Sequence, residues 1–81
     1  MNYAVIFYTH SGAIKFDKKM KKLNILCSLQ PVPRKLSSSC GICAKISYDN
    51  NIDSLLGDEI QNIYIEISKN QFELVFEHHI S

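Results

Sequence analysis

The sequence has no tryptophan, and only two prolines, three glycines and three cysteines in 81 residues. It has no apolar run near the ~20 residues that a membrane span needs, so no membrane association is expected. The opening "MNYAVIFYTHSG" lacks a basic n-region and is rich in tyrosine and β-branched residues, so it reads as a strand rather than a leader. Three cysteines without an export signal point to a reducing cytoplasm. There a C-x-x-C means chemistry or metal rather than a structural staple. No glycine loop that would cradle phosphate, no G-x-S-x-G and no identifiable pair of catalytic carboxylates is present. Tyr8, Tyr48 and Tyr64 fall on expected strands, but the glycine–aromatic pattern of an RNA-binding sheet is missing. The net charge is +1, so no nucleic-acid partner is expected.

What is present fits one domain over residues 1–81, with 46% hydrophobic residues. The charge is divided unevenly. Residues 1–40 hold seven basic side chains against Asp17 alone, whereas residues 41–81 hold Lys45 and Lys69 against seven acids. Most of the basic excess falls where a surface helix is expected, which makes it a solvated lysine face.

Tyr3 to Thr9 reads as a strand apolar on both faces. Thr9 or Ser11 can cap a helix whose core face carries Ala13, Phe16, Met20 and Leu23, with Asn24 as its stop. Ile25 to Leu29 is the second strand, with Leu26 and Cys27 expected inside and Pro31 and Pro33 ending it. Cys43 to Tyr48 alternates, with Ala44, Ile46 and Tyr48 on one face and Cys43, Lys45 and Ser47 on the other. A short second helix through Ile52, Leu55, Leu56 and Ile60 is capped by Asn51 or Asp53 and weakened by Gly57. Ile63, Ile65 and Ile67 alternate as a further strand. After a turn at Lys69-Asn70, Phe72, Leu74 and Phe76 alternate as an extra C-terminal one.

The expected class is therefore α+β, a ferredoxin-like α/β sandwich in the order β-α-β-β-α-β, with a mostly antiparallel sheet and both helices on one face. The other face is left open to solvent or to a second copy of the chain, as in a homodimer.

The chemistry concentrates in "PVPRKLSSSCGIC". Cationic neighbours lower a thiol pKa, and Arg34 and Lys35 share the loop with Cys40. Gly41 permits an unusual φ, Ser37, Ser38 and Ser39 can donate to a sulfur anion, and the prolines restrict the loop. Cys43 completes a C-x-x-C and is a candidate resolving thiol, but a strand start would hold the two sulfurs apart. It reads more simply as a small strand residue. A zinc site would need further ligands from Cys27, His10, His78 and His79. The two last are adjacent rather than spaced as H-x₃₋₅-H, so no metal is expected. His10 lies where the first strand meets the first helix and is not assigned a catalytic role.

Pro31, Pro33, Arg34, Ser38, Cys40 and Gly41 together resemble the signature of the selenium/sulfur carrier-like family of small bacterial proteins. Its P-x-P-R/K…S-S-x-C-G loop precedes the third strand. The resemblance runs through about Ile67. Cys43 and the final "QFELVFEHHIS" lie outside the family pattern. The resemblance implies that Cys40 carries sulfur or selenium between donor and acceptor proteins, without a cofactor, as a carrier rather than an enzyme. Two alternatives stand beside it. One is a small non-catalytic interaction module with incidental cysteines. The other is a thiol-disulfide protein using Cys40 and Cys43.

Overall fold

The computed structural model describes residues 1–36 and 40–78. The elements are β1 (Asn2–Phe7), α1 (His10–Lys22), β2 (Cys27–Pro31), β3 (Ile42–Ser47), a 3₁₀ turn (Ile52–Leu55), β4 (Ile60–Ser68) and β5 (Gln71–Glu77). The five strands form one sheet in the order β2-β3-β1-β4-β5, and every neighbouring pair is antiparallel. No helix among the described residues is long and apolar enough to cross a membrane.

β1 sits at the centre and is buried from Tyr3 to Phe7, which explains an apolar sequence without alternation. Its odd positions face α1. Tyr3, Val5 and Phe7 join Ala13, Phe16 and Met20 of the helix and Ala44, Ile46 and Ile63 of the neighbouring strands in the main core. The rings of Phe7 and Phe16 meet at 5.2 Å between centroids, tilted by 57°. That tilted contact suits aromatic quadrupoles better than face-to-face stacking.

The helix forms where the spacing predicts it. Thr9 is its N-cap and accepts from the Gly12 amide through Oγ1 at 3.0 Å. Three lysines in its last turn face the negative end of the helix dipole. Asn24 ends it with a φ of +58°, a conformation asparagine tolerates better than most residues. Leu23, expected in the core, is exposed at the C-cap.

Three expectations about elements are corrected. The second α-helix is replaced by the single 3₁₀ turn. Asn51 does cap it, accepting from the Asp53 amide at 3.0 Å, but Leu56 is already extended (ψ 144°), and Gly57 follows. β2 starts and ends two residues later than expected. Leu26 is 78% exposed before it, and Pro31 stays paired with Ile42. A proline fits there because β2 is an edge strand and needs no outward N–H. β5 does not alternate throughout. Its register shifts between the partners of Ile63 and Tyr64, so Phe76 packs toward the helix while Leu74 pairs with Tyr64 on the other side.

The face opposite α1 carries Ala4, Ile6, Cys43, Lys45, Tyr64 and Phe72 by register. It is partly covered rather than open. Ala4, Ile6 and Cys43 are fully buried, and Leu36 of the β2–β3 loop lines a cleft with Tyr64 and Phe72. Lys45 closes another part of this face, with Nζ 3.7 Å from a Glu66 oxygen and 5.1 Å from the centre of the Phe72 ring.

Candidate functional site

Cys40 lies two residues before the start of β3, at the end of the sheet where β1 turns into α1. Three features fix its backbone. Gly41 has a φ of +76°, which L-residues with a side chain rarely adopt. The Val32 amide donates to the Gly41 carbonyl at 3.2 Å and closes the loop. His10 Nε2 lies 2.6 Å from the Cys40 carbonyl oxygen. A carbonyl only accepts, so this ring nitrogen carries the proton and donates. The sulfur is half-buried. It packs against the helix-side core and donates to the Ile42 carbonyl at 3.4 Å.

Cys43 is fully buried, three residues away and on the other face of the sheet. Its thiol points at the Pro31 carbonyl, 3.9 Å away. Burial pushes its pKa up, only partly opposed by the charge of Lys45. The two sulfurs of the C-x-x-C therefore belong to different surroundings, and each cysteine is a thiol. Cys27 lies on the helix side of β2, expected buried and found half-buried. Burial, then the neighbouring Asp17 carboxylate, push its thiol up to about 12. Asp17 is itself held low, first by its hydrogen bond with Lys21. Neither Cys27 nor Cys43 is suited to act as a thiolate near neutral pH.

Arg34 and Lys35 take a place the sequence does not reveal. The Leu36 amide donates to the Pro33 carbonyl at 3.0 Å, so these two cations occupy the centre of a tight turn. Both are exposed and line a cleft of about 400 Å³ with Pro33, Asn70 and Phe72. Lys35 also borders the adjoining cleft of about 420 Å³ with Leu36 and Tyr64. The lining of neither cleft includes Cys40. The turn thus presents its charge toward the β4–β5 hairpin, across the sheet from the helix. Ser38 and Ser39, expected to donate to a sulfur anion, lie outside the described residues, as do Ser37 and His79.

Sequence reading passed over His10. The signal available was its place at the β1–α1 junction. What hid its role was that its partner is a backbone atom 30 residues away, which leaves no mark on side-chain pattern. His78 is also engaged. Its Nδ1 is 3.1 Å from the Ile60 carbonyl, and its ring meets Tyr8 edge-on at 5.8 Å. Among the described residues, no group of three or more His, Cys, Asp or Glu is placed to hold a metal ion.

A comparison with protein-family models matches residues 2–69 to the family described as "Putative Se/S carrier protein-like". No curated protein and no solved structure matches the chain.

Proposed function

The chain belongs to the Se/S carrier protein-like family, and from that premise we propose that it carries a single sulfur or selenium atom on Cys40. The observation that supports Cys40 over the other thiols is their contrast. Cys27 is pushed up to about 12 by burial and Asp17, and Cys43 is sealed on the far face. Cys40 is half-exposed, as Cys27 is, but it alone of the three lies in the loop that bears the family signature.

In the proposed step the Cys40 thiolate attacks the terminal sulfur of a persulfide on a donor protein. A new S–S bond forms at Cys40, the donor's S–S bond breaks, and the donor leaves as a thiolate. The transferred sulfur keeps its oxidation state, so no external oxidant or reductant is needed. Delivery to an acceptor thiol is the same exchange in the other direction, and selenium would follow the same course as a selenylsulfide. The partners are a donor and an acceptor protein in a reducing compartment. The protein itself acts as a relay, not as a catalyst with its own turnover. We read the scaffold as a ferredoxin-like sheet whose second helix has shrunk to a 3₁₀ turn.

The test is intact mass after incubation with a cysteine desulfurase and cysteine. One added sulfur atom, lost in Cys40→Ser and reversible by a reductant, is the expected result. An adduct that persists in Cys40→Ser, or no adduct on the wild type, would refute the proposal.

A further inference from the structure

We propose that His10 is a positioning residue that latches Cys40 in its half-buried state. The latch gives the carrier reading a resting state for its thiol, but its test does not depend on that reading.

The argument starts from how firmly the ring is placed. Thr9 caps the first turn of α1, the Tyr8 amide donates to the Glu59 carbonyl at 3.4 Å, and Gly12 packs closely against Glu59. A Cβ on Gly12 would come within 2.9 Å of the Glu59 Cβ, so this turn lies close against the chain at Glu59. His10 is the first residue of that turn. Its Nε2–H donates to the Cys40 carbonyl at 2.6 Å, across 30 residues of chain.

On the far side of Cys40 the chain is held by Gly41 at φ +76° and by the Val32–Gly41 bond. The chain that follows Cys40 is thus held at the Cys40 carbonyl and again at the Gly41 carbonyl. With the backbone held there, the sulfur rests against the core and donates to the Ile42 carbonyl.

For a reagent to reach the sulfur, Cys40 must turn away from the core and from the Ile42 carbonyl. Loosening the His10 latch makes that excursion easier. The surface hydrogen bond is worth about two- to tenfold in such a local opening equilibrium.

The experiment follows iodoacetamide alkylation of each cysteine separately, by peptide mass spectrometry, in the full chain. His10→Ala should speed alkylation at Cys40 by about two- to tenfold while Cys27 and Cys43 stay at wild-type rates. His10→Gln, whose side-chain amide offers an N–H at a similar reach, should return Cys40 close to the wild-type rate. The two other cysteines serve as a built-in reporter of unfolding, because loss of the fold would expose both. Equal rates in His10→Ala and wild type would overturn the proposal. So would equal acceleration at all three cysteines, or His10→Gln behaving as His10→Ala does. A sulfur-transfer assay that fails while these rates behave as expected would remove the carrier reading and leave the latch standing.

Discussion

Replacing Gly41 by alanine isolates backbone strain at the candidate site. An added Cβ there would meet no atom of the described residues within 4 Å, so packing against them contributes nothing to the cost. The φ of +76° contributes all of it. Holding an L-residue in this region costs about 1–2 kcal/mol. Alanine also narrows the unfolded ensemble, which offsets about 0.4–1 kcal/mol. The expected net loss is about 1 kcal/mol, and with a urea m-value of about 1 kcal/mol per molar the midpoint should fall by about 1 M. Gly41→Asn should cost clearly less, because asparagine tolerates the left-handed region. Gly12 gives the opposite pattern. It lies in a helix, and its Cβ would clash with Glu59 at 2.9 Å and crowd Thr9 Oγ1 at 3.3 Å, so asparagine there should be worse than alanine. Urea unfolding of the four variants reads both orders. If Gly41→Ala is neutral, or if alanine and asparagine cost the same at position 41, the conformational argument is wrong.

Cys27 predicts an alkaline loss of stability. Its folded pKa is raised to about 12 by burial and Asp17, so its contribution is intact below the unfolded value of about 8.5 and is lost as pH climbs toward the folded one. Half-exposure screens the effect to about 1–2 kcal/mol. Urea midpoints between pH 8 and 10.5 should fall more steeply for wild type than for Cys27→Ser, and parallel slopes would contradict this. Cys43→Ala removes a fully buried sulfur and should cost about 1 kcal/mol by urea unfolding, while leaving the sulfur adduct on Cys40 at its wild-type yield. A Cys43→Ala variant that can load but not release sulfur would instead make Cys43 a resolving thiol.

Much of the scaffold was legible because it follows from periodicity. The unbroken apolar run of β1 requires cover on both faces, and Ala13, Phe16 and Met20 recur at helical spacing. Asn24 and Asn70 mark chain reversals, and both adopt positive φ. The failures have local causes. Ile52, Leu55 and Ile60 suggest a helix, but Leu55 needs only one turn to reach the core, and the chain must then extend to start β4 at Ile60. The bulge in β5 was hidden because Phe72, Leu74 and Phe76 alternate perfectly in sequence. Only pairing with β4 shows that one register step is skipped. Leu26 was read as buried on hydrophobicity alone, and an edge position at the start of β2 leaves it in water.

At the candidate site, neighbours along the chain were legible and direction was not. The sequence groups Pro31, Pro33, Arg34, Cys40 and Gly41 into one motif, and proximity along the chain suggests that the cations serve the sulfur. The fold separates them. The Pro33–Leu36 turn carries Arg34 and Lys35 onto the clefts beside Phe72, on the side of the sheet that Cys43 occupies. Cys40, followed by Gly41 at φ +76°, packs on the helix side. The approach to β3 is tied by the Val32–Gly41 bond and by His10 on the Cys40 carbonyl. The spacing of three puts Cys40 and Cys43 on opposite sides, because β3 alternates from Ile42 onward. Pairing with Ile6 of β1 then seals Cys43 on the far face, while Cys40, before the strand begins, stays half-exposed on the helix side.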